Sequence, residues 1–111
     1  MTTSTYTPDN LLAGNFPTVM GYLQIPDSTL KRGTVITSDG EAMETGGEPY
    51  GVLAEDADAS ESAVMAPVYL TGEFTKRHLI LADDAELASE DIAALRAISI
   101  FVKGSVLPVT N

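Results

Sequence analysis

Across residues 50–106 the apolar residues come in short runs, each cut off by an acidic or glycine-bearing break. Y-G-V-L-A (50–54) is followed by A-V-M-A-P-V-Y-L-T-G-E-F (63–74), then by Leu79-Ile80-Leu81-Ala82, and finally by A-I-S-I-F-V (97–102). Only the stretch opening at Ser89 carries helical spacing, with Ile92, Leu95 and Ile98 on one face. A chain interrupted this often cannot form long helices or a long regular sandwich. It is expected to be mainly β, a small domain of short irregular strands with one short helix.

The first half extends the same pattern. Val19–Ile25 reads as a strand ended by Pro26-Asp27, and Lys31-Arg32-Gly33 as a turn. Thr34-Val35-Ile36-Thr37 is β-branched throughout, so its stiff side chains favour a strand. Asp39-Gly40 is a strong turn signal, and residues 41–49 with Gly46-Gly47 read as a loop or loose hairpin. Within the long run, Pro67 predicts an edge position or a bulge, because proline cannot donate a ladder hydrogen bond. Gly72 predicts a second irregularity or a close backbone approach. Ser89 is the expected helix cap, with Glu90 and Asp91 placed well against the positive end of the helix dipole.

Residues 1–15 differ in composition. Thr2, Thr3, Ser4, Thr5, Tyr6, Thr7 and Pro8 precede turn-prone Asp9-Asn10, and Leu11 and Leu12 are among the few large apolar side chains. Such a segment does not bury enough surface to offset its own ordering entropy. The expected organisation is a flexible arm over 1–15 and one β-rich domain over 16–111. The arm is either a tail without a role or a segment that orders on a partner by adding a strand to an exposed sheet edge.

At 111 residues the chain is long enough for one domain with a modest core, so partners or self-association are expected to contribute to stability. There is no Trp and only seven aromatic residues, so the core must be aliphatic; without Cys, no disulfide or thiol chemistry is available. No basic n-region or apolar run marks a signal peptide, and no segment approaches a membrane span, so a cytosolic product without membrane contact is expected. The net charge of −10 argues against binding to nucleic-acid phosphates. Eight of the 16 acids lie between Asp39 and Glu61 with no base among them, and five more lie between Asp83 and Asp91. These read as solvated loops, as a surface for a basic partner, or as a nucleic-acid mimic or cation site.

Catalytic and metal signatures are weak. His78 is the sole histidine, and no Gly-x-Ser-x-Gly elbow accompanies it. Glu55, Asp56 and Asp58 are carboxylates without the glycine and glutamate positions of a Ca²⁺ loop. Asp83-Asp84 is an ordinary acidic-loop pair, and Gly46-Gly47 lacks the lysine and following helix of a phosphate cradle. The expectation is a non-enzyme with no catalytic residue, no metal site and no cofactor.

The order of Gly51-Val52-Leu53-Ala54, an acidic turn, a strand ending in Gly72-Glu73-Phe74, a short acidic helix and Ala97-Ile98-Ser99-Ile100 resembles the head decoration proteins of tailed phages. The likeness covers residues 50–102, and residues 16–40 share its character. The resemblance implies a β-clip-like domain and a homotrimer made in the host cytoplasm. It implies attachment to the outer surface of the virion at three-fold and quasi-three-fold sites after shell expansion. The role would be stabilisation against internal DNA pressure, with the arm (Thr2–Pro8, Leu11 and Leu12) ordering on the major capsid protein. Residues 103–111 extend past the family's closing strand, and the resemblance assigns them no role. The competing expectation is a non-viral, acidic, β-rich module that binds proteins or mimics nucleic acid.

Overall fold

The computed structural model describes residues 17–103. The expected arm, including Thr2, Thr3, Ser4, Thr5, Tyr6, Thr7, Pro8, Leu11 and Leu12, lies outside the described residues, as do residues 104–111. Within them the protein is mainly β, with irregular, mostly antiparallel strands and one short helix. The strands are β1 (Val19–Ile25), β2 (Thr29–Leu30), β3 (Val35–Ile36), β4 (Gly51–Leu53), β5 (Ala57–Asp58), β6 (Val64–Thr75) and β7 (Ile100–Lys103); the helix is α1 (Ser89–Arg96).

β6 organises the molecule. The main sheet runs β1-β6-β4-β3, and β7 pairs with the far end of β6 in parallel. A parallel pair needs a crossover, and residues 76–99, which contain α1, supply it. β2 and β5 form a separate two-stranded ribbon, with β5 inside what reads in sequence as an acidic loop. Successive strand residues face opposite sides, so Val35, Val52 and Tyr69 enter one core while Ile36, Leu53 and Val68 enter another. The larger core adds Phe74, Leu81, Leu87, Leu95 and Ile100 beneath the crossover. The smaller gathers Ile25, Ala57, Ala59 and Ala66.

Two local expectations need correction. Pro67 lies at neither an edge nor a bulge: it pairs with Tyr22 of β1, and on its other side its carbonyl accepts the Ala54 N–H at 2.9 Å. The return bond from Pro67 to Ala54 is impossible, and the Arg32 side chain replaces it, donating from Nη1 to the Ala54 carbonyl. The irregularities of β6 fall further along. Its register with β1 slips between Met20↔Tyr69 and Val19↔Thr71, and at Gly72 (φ +149°) an added Cβ would meet the Thr18 methyl at 2.9 Å.

The helix cap is also displaced by one residue. Ala88 is the N-cap and Ser89 the first helical residue. Asp91 does the capping: Oδ2 accepts the Ala88 N–H at 2.9 Å and Oδ1 accepts the Gly46 N–H at 2.8 Å. Its carboxylate is buried and joins the helix start to the 43–47 loop. At the other end Ser99, with φ +68°, turns the chain out of the helix and accepts the Gly72 N–H at 3.1 Å.

Candidate protein-docking surface

β1 contains no charged residue and no proline, the devices that usually blunt an edge strand. It is the terminal strand of its sheet among the described residues, paired with β6 alone. Alternation sends Leu23 and Ile25 into the smaller core and leaves Met20, Tyr22 and Gln24 on the other face. There Tyr22 lies across from Pro67 and Gln24 across from Met65. On this face the larger core reaches along β6 as far as Tyr69, which pairs with Met20, and Tyr22, Gln24 and Met65 lie beyond it. Met20 is 50% exposed, Tyr22 69% and Met65 63%. Single exposed apolar residues are commonplace; three on adjoining strands form a contiguous patch of the kind that marks an interaction site.

The far end of the β1 edge is closed by the turn at Asp39-Gly40. Gly40 approaches so closely that a Cβ there would lie 2.1 Å from the Gln24 carbonyl oxygen. At the near end Pro17 and Val19 are fastened to Thr71: its hydroxyl donates to the Pro17 carbonyl at 2.9 Å and accepts the Val19 N–H at 3.0 Å.

The residues weighed for chemistry are differently employed. His78 sits on the 3₁₀ turn Lys76–His78, and its Nε2 is buried with no hydrogen-bond partner among the described residues. Asp56 accepts the Arg32 N–H at 2.8 Å. Asp58 accepts the hydroxyl and N–H of Ser60 and the Thr29 hydroxyl; these bonds, the Ser60 hydroxyl first, hold its pKa below the ordinary value of 3.8. Among the described residues no group of three or more His, Cys, Asp or Glu is gathered to hold a metal. None of their helices is long and apolar enough to cross a membrane.

Sequence reasoning identified β1 as a strand but missed it as a surface. The available signal was the absence of Lys, Arg, Asp, Glu and Pro over seven residues in a chain this acidic. No family model matches the chain, and no match is found among curated proteins.

Proposed function

We propose that this protein is a capsid cementing protein. In this reading it docks on the outer surface of an expanded phage head as a homotrimer, at three-fold and quasi-three-fold sites, and holds the shell against internal DNA pressure. The observation that carries the reading is the uncharged, apolar β1 edge with Met20, Tyr22 and Met65 exposed. An extended segment of the major capsid protein can hydrogen-bond along such an edge and cover its apolar face. The 50–102 pattern supplies the class of partner, and the arm (1–15), which lies outside the described residues, is proposed to engage the same shell. Three copies acting together gain avidity, because each later contact is intramolecular. The acidic loops keep the protein soluble and away from DNA before assembly.

The test is saturable binding to expanded, undecorated capsids, with a rise in their thermal stability. Tyr22→Ser combined with Met65→Ser should weaken binding about tenfold or more while leaving the fold intact, since exposed interface aromatics dominate docking energies. Absence of binding by the unmodified protein would sink the reading. Undiminished binding by the double variant would exclude the β1 surface. Tight, salt-sensitive capture of a basic protein without affinity for shells would favour the acidic-module alternative.

A further inference from the structure

Pro67 fixes which backbone groups of β1 face outwards. Its carbonyl accepts the Ala54 N–H at 2.9 Å, so it points to the β4 side of β6 and away from β1. In an antiparallel strand the N–H and C=O of one residue leave on the same side. Tyr22↔Pro67 is therefore not a hydrogen-bonded pair, and the Tyr22 N–H and C=O point away from β6. Alternation gives the rest: Gly21↔Val68, Leu23↔Ala66 and Ile25↔Val64 are the hydrogen-bonded pairs, and Met20, Tyr22 and Gln24 face the open side. Two contacts agree with this count. The Val19 N–H, turned inwards by the same alternation, reaches the Thr71 hydroxyl at 3.0 Å. The Gln24 carbonyl, turned outwards, is the atom that Gly40 abuts.

The open edge is thus short. The 37–41 turn stands against it at Gln24, which leaves the N–H and C=O of Met20 and of Tyr22. None of the turn and loop backbone hydrogen bonds among the described residues takes these groups. The same two residues carry the exposed side chains beside Met65, so ladder and apolar face coincide. Asp39 and Glu41 flank Gly40 in the chain, and both are exposed. A strand added here cannot run past Gln24, and its end is delivered to those two carboxylates.

We infer that β1 recognises a short extended segment of the shell protein, apolar where it pairs with Met20 and Tyr22 and carrying a Lys or Arg at the end that meets the 38–41 turn. The inference rests on the capsid reading and adds to it the register and the chemistry of the docked strand. Strand addition supplies backbone hydrogen bonds, and the apolar and basic side chains supply the choice of partner. A second copy is the poorer occupant: its own β1 has no basic residue, and it brings a further charge of −10.

The first measurement is amide exchange by NMR on the full chain, free and bound to expanded, undecorated capsids, with the bound sample quenched and read after release. In the free protein the Met20 and Tyr22 amides should exchange at least about tenfold faster than those of Gly21 and Leu23; on the shell they should slow by at least about tenfold. Slow exchange of Met20 and Tyr22 in the free protein would mean that the chain itself or a second copy already covers the edge, and overturns the inference. Binding to shells without protection of these two amides overturns it and leaves the capsid reading standing. No binding by the unmodified protein removes both. The second measurement compares variants. Tyr22→Pro and Tyr22→Ser both lose the ring, but only the proline also loses the outward N–H, which an edge strand tolerates. Tyr22→Pro should bind shells about tenfold more weakly than Tyr22→Ser; equal binding by two folded variants overturns strand addition. Asp39→Asn with Glu41→Gln should weaken shell binding at least about threefold and flatten its salt dependence, whereas the same charge change at Asp83→Asn with Asp84→Asn should not. Equal effects of the two pairs overturn the basic end of the docked strand.

Discussion

Gly40 has φ +80°, and a side chain there would drive Cβ to 2.1 Å from the Gln24 carbonyl, a backbone atom that cannot rotate away. Gly46 has nearly the same φ, +85°, but its Cβ would meet only the Glu90 Oε2 at 3.3 Å, the mobile end of a side chain. Alanine at both positions therefore separates left-handed strain from steric clash. Gly46→Ala should cost about 1 kcal/mol and Gly40→Ala about 2–4 kcal/mol, the latter lowering Tm by about 10 °C or more. Equal losses in thermal unfolding would contradict the packing of the 37–41 turn against β1. Asp91 permits a similar comparison. Asp91→Ala strands two backbone N–H groups, at Ala88 and Gly46, and should cost about 2–3 kcal/mol. Ser89→Ala removes only an exposed hydroxyl and should stay within about 0.5 kcal/mol by denaturant titration.

Among the elements, β6 carries a proline where a ladder amide is needed, and the 31–33 turn compensates from another part of the chain. Arg32 reaches the Ala54 carbonyl, and its Nη1 lies 3.4 Å from the Tyr69 hydroxyl, so turn, β4 end and β6 meet at one guanidinium. Arg32→Met should cost about 1–3 kcal/mol by leaving that carbonyl without its side-chain donor. In a Pro67→Val background the restored amide donates instead, and the same substitution should cost distinctly less. A double-mutant cycle measures this coupling. Additive costs would show that Arg32 contributes through packing over Tyr69 alone. β1 illustrates the opposite situation: among the described residues its backbone pairs with β6 alone, and Met20 and Tyr22 stay exposed.

For the molecule as a whole, charge and apolar surface oppose each other. Copies carrying −10 repel, so contact between copies must be apolar enough to offset that and must leave the Met20–Tyr22–Met65 face free for the shell. Light scattering should give a mass near three times 11.7 kDa at sufficient concentration. Association should strengthen as salt rises, because screening removes repulsion and leaves apolar contact untouched. Dissociation by salt would mean that charge pairs hold the copies together. Deleting residues 2–15 should leave the circular dichroism spectrum and the melting transition in place and weaken attachment to shells. Unchanged attachment would remove the arm from the capsid reading.

The sequence by itself determined what depends on neighbours along the chain. Val19–Ile25, the Asp39-Gly40 turn, the short strand at Gly51 and the helix over residues 89–96 were legible because propensity, alternation and turn chemistry act within a few residues. It also marked Gly72 as irregular. Tertiary structure decided whatever depends on residues far apart. Pro67 sits beside two strands because Arg32, 35 positions earlier, supplies the donor it lacks. Asp91 caps the helix because the 43–47 loop gives its second oxygen a partner. The parallel pairing of β7, the ribbon of β2 with β5 and the exposure of Tyr22 likewise follow from which elements cover which faces. An edge strand and a central strand read alike in one sequence; the difference is whether another backbone arrives.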